Sequence, residues 1–362
     1  MSDKDSLIQQ LLAAEQLDGA LIFGQADLRY LCGFSGSDGV LFLTGAASIF
    51  LTDSRYQEQA HQQVEADDIR CYKSKLQGLA DLILETQARR VGFDAGGITV
   101  AQFEELKRLC PVAVSFIPLP QRWETLRSMK NPAELAYLRH AAALNRQAFD
   151  AVVALIRPGT RERDIALELE FTLKKLGGET NAFDFIVASG VRGALPHGVA
   201  SDKLICDGEL VTIDFGTRYQ GYHSDETLTV AVGAVDGNLR QIFDIVLEAH
   251  DSAIAAARSG MRACDLDAVA RDFIASKGYG DYFGHGLGHG VGLEVHEFPP
   301  LTSKNEAYLT AGMVVTIEPG IYLPGVGGVR IEDTIVITDT GCECLTSIPK
   351  QFCQLPGMAG SY

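Results

Sequence analysis

Two stretches of this chain alternate apolar and acidic residues in a way that few folds can accommodate. In Leu210-Val211-Thr212-Ile213-Asp214-Phe215-Gly216, the two-residue period of a strand puts Val211, Ile213 and Phe215 on one face. Thr212 and Asp214 take the other. The chain turns through Arg218-Tyr219-Gln220-Gly221 and returns as Tyr222-His223-Ser224-Asp225-Glu226-Thr227. A turn centred between Tyr219 and Gln220 sets Asp214 directly opposite Asp225, with Cβ atoms ~4.5–5.5 Å apart on one face. A second hairpin repeats the arrangement. Val314, Thr316 and Glu318 share a face of one strand, Arg330, Glu332 and Thr334 a face of the next, and a turn centred on Gly325 sets Glu318 opposite Glu332. One such pair would suit exposed acids on a solvated strand. Two pairs, each on a strand whose other face is apolar, argue for a buried counter-charge. Arg330 supplies one unit at most, whereas two divalent cations would supply four.

The histidines point the same way. Four of the eight fall in or near two glycine-rich segments: Pro196-His197-Gly198, and Gly284-His285-Gly286-Leu287-Gly288-His289-Gly290 running on to His296-Glu297. So many glycines argue against a helix, so His285 and His289 are not a helical H-E-x-x-H zinc pair. In extended chain the two rings point to one side. One nitrogen ligand added to four carboxylates favours Mn²⁺, Co²⁺ or Fe²⁺ over structural Zn²⁺. Other motifs are absent: there is no G-x-S-x-G, no G-x-x-x-x-G-K-[ST] and no G-x-G-x-x-G. Cys342-Glu343-Cys344 reads as a pair of strand-end cysteines, and His223 and Glu226, beside the first acid pair, read as surface residues first and as groups supporting the ligands second.

At 362 residues the chain exceeds the ~250–300 at which a single core stops growing, so two domains are expected. The first, residues 1–120, alternates short strands (20–23, 40–43, 48–52, 91–93, 112–114) with helical segments (54–65, 76–88, 99–109), an α/β pattern. An extended connection, 117–130, contains Ile117-Pro118-Leu119-Pro120. The second domain, 131–362, opens with Asn131 as N-cap, Pro132 at N1 and Glu134 at N3 of a helix reaching about Ile156. Thr160 is expected to cap the next helix and Gly177-Gly178 to end it. Helical patterns at 240–258 and 265–277 between strands at 209–232 and 312–338 make this domain α+β. The net charge of −16 disfavours nucleic acid and anionic membranes as partners. No run approaches a membrane span. The start, Met1-Ser2-Asp3-Lys4-Asp5, lacks signal-peptide character, and the eight scattered cysteines fit reduced thiols, so a cytoplasmic location is expected.

Taken together, Asp214-Phe215-Gly216, Gly221-Tyr222-x-Ser224-Asp225-x-Thr227, His285-x-x-Gly288-His289-Gly290 with His296-Glu297, Glu318-Pro319-Gly320 and Arg330-Ile331-Glu332-Asp333 resemble the pita-bread metallopeptidases. The stretch Asp27-Leu28-Arg29-Tyr30-Leu31, with Gly33-Phe34 and Gly36-Ser37, resembles the creatinase-like N-terminal domain of aminopeptidase P and prolidase. The resemblance implies two divalent ions, Mn²⁺ foremost with Co²⁺, Fe²⁺ or Zn²⁺ as alternatives. Asp214, Asp225, His289, Glu318 and Glu332 would hold them, with Asp225 and Glu332 bridging. Glu318 would shuttle the proton, His296 would stabilise the oxyanion, and His197 and His285 would contact substrate beside Arg330. It implies peptide substrates with proline in second position and a homodimer, the N-terminal domain walling the cleft or meeting the partner. Leu228 departs from the family, many members having arginine there. A second departure is the lack of any arginine between His296 and Glu318, where some prolidases hold a dipeptide's carboxylate. That favours Xaa-Pro aminopeptidase action over dipeptidase action. A metal-free hydrolase of this fold and a non-catalytic peptide-binding module are the rival expectations, and both would be expected to lose ligands.

Overall fold

The computed structural model describes residues 3–119 and 122–358; Met1, Ser2 and Pro120, invoked above, lie outside them. The chain forms two units, meeting at Arg127 and Ser128.

The first unit is one mixed sheet. Its strands are β1 (Gly19–Ile22), β2 (Gly39–Thr44), β3 (Ser48–Thr52), β4 (Asp68–Cys71), β5 (Arg90–Phe93) and β6 (Ser115–Pro118), in the order β4-β3-β2-β1-β5-β6. The hairpin expected across Gly45 is present, with Val40 opposite Leu51. Alternation explains why both faces are covered. Leu21, Val40, Phe42, Ile49 and Leu51 pack under α4 (Lys75–Glu85) and α5 (Val100–Leu109). Ala20, Ile22, Leu41, Leu43 and Phe50 pack with Leu12 of α1 (Asp3–Ala14) and Leu28 of α2 (Gln25–Cys32). The helix α3 (Gln57–Gln63) is shorter than the segment expected. The strand expected at 112–114 begins three residues later. Val112 is exposed in a turn closed by the Val114 N–H on the Pro111 carbonyl, and the sheet pairing starts with Ser115 opposite Arg90. The connection expected to be extended instead contains β6 and a helix, α6 (Arg122–Ser128). Pro118 is tolerated because β6 is an edge strand.

In the second unit α7 (Pro132–Val152) starts as expected. The Asn131 side chain accepts from the N–H groups of Ala133 and Glu134, and Glu134 reaches back to the Asn131 N–H. The next helix, α8 (Glu162–Lys175), has Arg161 rather than Thr160 at its N-cap and no side-chain cap; the Thr160 carbonyl is taken by the Ile205 N–H. The helices α9 (Gly237–Ala256) and α10 (Ala263–Ser276) follow. Their strands are β7 (Thr180–Asn181), β8 (Ile186–Ser189), β9 (Glu209–Phe215), β10 (Thr217–Tyr219), β11 (Tyr222–His223), β12 (Glu226–Val232), β13 (Gly288–Gly290), β14 (Glu297–Leu301), β15 (Val314–Ile317), β16 (Gly320–Leu323), β17 (Gly327–Arg330), β18 (Asp333–Ile337), β19 (Cys342–Cys344) and β20 (Gln354–Leu355).

Two of its sheets carry the site, β20-β12-β9-β8 and β14-β13-β15-β18-β19. Val211, Ile213 and Phe215, with Leu228 and Val230, pack against α7 and α8. Val315, Ile317, Ile335 and Ile337 pack against α9 and α10. Each sheet thus buries one apolar face under a helix pair, and truncating a residue such as Ile213 to Ala would cost ~2–5 kcal/mol. The opposite, polar faces meet each other. All eight cysteines are free thiols, and no helix among the described residues is long and apolar enough to cross a membrane.

Candidate metal centre

Hydrogen bonds cross between the two polar faces at every level. The Thr229 hydroxyl donates to the Arg330 carbonyl (2.9 Å), the Thr334 hydroxyl to the Asp225 carbonyl (2.7 Å), and the Glu332 N–H to the Thr227 carbonyl (3.0 Å). The first hairpin supplies Asp214 and Asp225, though not in the register expected. Its turn is centred one residue later, between Gln220 and Gly221, whose φ angles of 49° and 81° suit a two-residue hairpin turn. Asp214 therefore faces Thr227, and Asp225 stands beyond it where the strand is interrupted. Because partners two residues apart share a face, both carboxylates still point to the same side.

The second hairpin keeps its expected register. Gly320 pairs with Arg330 and Ile317 with Asp333, and the ladder opens between these pairs, at Glu318-Pro319 and Ile331-Glu332. Opening the ladder there frees both glutamates to turn inward. The glycine segment adds His289 from β13. Gly288 and Gly290 flank it because a side chain at either would collide with the backbone of the neighbouring strands.

Carboxylate oxygens of Asp214, Asp225 and Glu332 lie within 4.8 Å of one another, in residues only 9 %, 5 % and 2 % exposed. His289 Nε2 stands 3.2 Å from Glu318 Oε1 and 3.7 Å from Asp225 Oδ2. The Thr316 hydroxyl links them from below, accepting the His289 N–H (3.0 Å) and donating to Glu318 (3.1 Å). Arg330 Nη2 sits 2.6 Å from Asp214 Oδ2. The four carboxylates, His289 and Arg330 line a cavity of about 420 Å³, together with His197, His285 and His296, and with Phe183, Ile186 and Val199. The expected site residues are therefore gathered in one place.

Charge there is far from balanced. Burial, then repulsion from Glu332, raises the Asp225 carboxyl well above its ordinary range, and burial with the charges of Glu318 and Asp214 does the same to Glu332. Asp214 is raised by burial despite Arg330. Glu318 is the exception: against its burial, the His289 hydrogen bond and charge hold it down to about 2. His289 is raised in return, Glu318 outweighing burial. Four carboxylates face one guanidinium and one imidazole, and the buried Oδ1 of Asp214 has no hydrogen-bond partner among the described residues. Oxygen donors with one imidazole and a deficit of positive charge fit hard or borderline divalent cations.

Some groups were misread or missed. Glu226 is fully buried rather than a surface residue, its Oε1 accepting from Lys350 Nζ (2.7 Å) and the Ile348 N–H (3.0 Å). His223 is also largely enclosed, its Nδ1 3.1 Å from the Gly292 carbonyl. Leu228 points into the apolar core, away from the carboxylates. Tyr322 was overlooked. Its hydroxyl accepts from Arg330 Nη1 (3.0 Å), which leaves its own proton for His285 Nε2 (2.8 Å), so the other ring nitrogen, Nδ1, donates to the Gly286 carbonyl.

Comparison with known proteins agrees with this geometry. The model of metallopeptidase family M24 matches residues 136–339, and that of the creatinase/prolidase N-terminal domain matches residues 6–129. The chain belongs to family M24. It is 39% identical to an Xaa-Pro dipeptidase of Pyrococcus horikoshii, over 97% of this chain and 99% of the relative. A solved Xaa-Pro dipeptidase from Bacillus anthracis superposes with a TM-score of 0.95 at 40% identity, covering 98% of this chain and 99% of that one. An X-Pro aminopeptidase structure from Thermotoga maritima gives 0.88 at 36% identity, covering 96% and 99%. The fold is thus the pita-bread fold with a creatinase-type N-terminal domain, and the protein is a metal-dependent peptidase of the prolidase and aminopeptidase P type.

Proposed function

We propose that this M24 peptidase is a dinuclear Xaa-Pro dipeptidase, cleaving the bond between a first residue and a following proline. The observation that carries the reading is the convergence of four carboxylates and His289 on one cavity, with Arg330 already committed to Asp214. In this reading Asp214, Asp225, His289, Glu318 and Glu332 would hold two divalent ions, and Mn²⁺ would suit the donor set best. When bound, such ions supply a water of lowered pKa and polarise the scissile carbonyl.

The chain's own groups do the rest. Glu318, ionised at neutral pH, takes the proton of the attacking water and passes it to the leaving proline nitrogen. His296 is exposed at the cavity and held below its ordinary pKa by burial and then by the His289 charge, so it is neutral and donates an N–H to the developing oxyanion. His197 and His285 face the substrate from the wall, and Arg330 with Tyr322 fixes the orientation of Asp214 and His285.

The sequence favoured aminopeptidase action because no arginine follows His296 before Glu318. Two Xaa-Pro dipeptidases at 39% and 40% identity across nearly the whole chain weigh more than that missing arginine. The Thermotoga maritima aminopeptidase keeps the other reading in play. Hydrolysis of an Xaa-Pro dipeptide beside an Xaa-Pro-Xaa tripeptide, with and without Mn²⁺, separates them. The dipeptide should have at least a ~10-fold higher kcat/KM. The reverse ratio makes the protein an aminopeptidase, and no cleavage of either with Mn²⁺ ends the proposal. We further propose a homodimer, which light scattering of the full chain would verify; a monomer would refute it.

A further inference from the structure

Behind the cavity wall, a buried carboxylate outside the metal centre gathers a whole loop onto itself. Glu162, fully buried in the first turn of α8, accepts on Oε1 from the N–H and hydroxyl of Ser189, at 2.7 and 2.8 Å. Its Oε2 accepts from the N–H and hydroxyl of Ser201, at 3.2 and 2.7 Å. Arg192 Nη1 donates to the same oxygen, and Arg192 Nη2 donates to the Val199 carbonyl at 2.8 Å. One side chain therefore ties together the start, middle and end of the segment 189–201.

His197 stands in that segment, exposed along the cavity. An exposed ring on a loop is not placed by packing, so the backbone beneath it must do the placing. Two anchors bear on that backbone. Arg330 Nη1 donates to the carbonyl of Pro196, immediately before His197, at 3.1 Å. Arg192 holds the carbonyl of Val199, two residues after it. A carboxylate serving only as a helix-end group would bond within its own first turn. Among the described residues, every hydrogen bond to the Glu162 carboxylate comes instead from the segment that carries His197.

We propose that Glu162, acting through Arg192, is a positioning residue that sets His197 for substrate binding without touching the substrate or the metals. This rests on the proposed Xaa-Pro peptidase reading, in which His197 holds the substrate. Buried charge-assisted hydrogen bonds are the strong ones, so loosening one of them should move the loop before it unfolds the domain.

The test is Arg192→Met, a change at a partly exposed side chain, with Ser201→Ala as a milder change at the same carboxylate. On an Xaa-Pro dipeptide with Mn²⁺, Arg192→Met should raise KM ~10-fold while kcat stays within ~3-fold, with bound metal unchanged. Ser201→Ala should shift KM the same way by less, and Arg192→Lys should recover part of the loss. In a His197→Ala background, adding Arg192→Met should change KM no further, because both act through one ring. An undiminished effect in that background, or an unchanged KM in Arg192→Met, overturns the proposal. Amide hydrogen exchange at Gly198 and Val199 gives an arm independent of activity. Exchange should quicken ~10-fold in Arg192→Met, and unchanged exchange overturns the proposal even if Xaa-Pro peptides prove not to be substrates. Absence of all Xaa-Pro cleavage by the wild type, with quickened exchange in the variant, would count against the functional reading alone.

Discussion

The Thr227 hydroxyl donates to Glu332 Oε2 at 2.6 Å, a bond that crosses from one hairpin to the other. Thr227 faces Asp214 across its own ladder, and Glu332 sits where the second ladder opens. A neutral donor thereby fixes one of the two carboxylates proposed to be shared by both metals. Thr227→Val keeps the shape and removes the donor, leaving Glu332 short of a partner at a cost of ~1–3 kcal/mol. We expect weaker Mn²⁺ binding and a rate reduced about tenfold at subsaturating metal, checked by calorimetric titration with Mn²⁺ and by activity against metal concentration. Unaltered metal affinity would mean that Glu332 is oriented by something else.

Protons and metal should compete for this site. Burial and mutual repulsion raise Asp225 and Glu332, and the Glu318 hydrogen bond raises His289, so the metal-free site holds its protons more tightly than exposed carboxylates and imidazoles do. Metal binding must displace them. Adding Mn²⁺ to metal-free protein in weak buffer at pH 7 should release protons, and affinity should rise with pH. Calorimetry in two buffers of different ionisation enthalpy measures the release; none at all would contradict the charge account.

How much of this was legible in the sequence depends on how far apart the partners lie. The second hairpin was legible because its turn is symmetrical about Gly325 and both strands keep a clean two-residue period. The first was placed one residue off. Its turn is Gln220-Gly221, with a glutamine in the left-handed position where asparagine would have announced the turn. The carboxylates still reached the right face, since a one-residue error in the centre shifts partners by two. Glu226 was misjudged because its neutralising Lys350 lies 124 positions away, and Glu162 was invisible because its donors are 27 to 39 positions distant. The helix at Arg122–Ser128 was hidden by the prolines just before it.

The N-terminal unit carries a separate titrating group. Burial raises the Asp94 carboxyl to about 7, although the N–H groups of Gly24 and Phe23 favour its charged form. An unfolded aspartate has a pKa of ~3.9. Between these values the folded state holds a proton that the unfolded state has lost, so the contribution to stability is full below about pH 4 and disappears as pH rises through 7. Asn at this position should remove that slope. Thermal melts of wild type and Asp94→Asn with chelator present, at pH 5 and pH 8, should show the wild type losing on the order of 2 kcal/mol more than the variant between the two. Equal slopes would place the Asp94 pKa near its ordinary value.

The central claim is that Asp225 and Glu332 hold two metals jointly while His296 serves only the chemistry. Metal content and rate, measured together on wild type, Asp225→Asn and His296→Ala, test it most directly. Wild type should hold two Mn²⁺ per chain, and Asp225→Asn should lose bound metal and activity together. His296→Ala should keep both ions yet turn over ~10²–10³-fold more slowly. Full metal content and full activity in Asp225→Asn, or loss of metal in His296→Ala, would contradict the account.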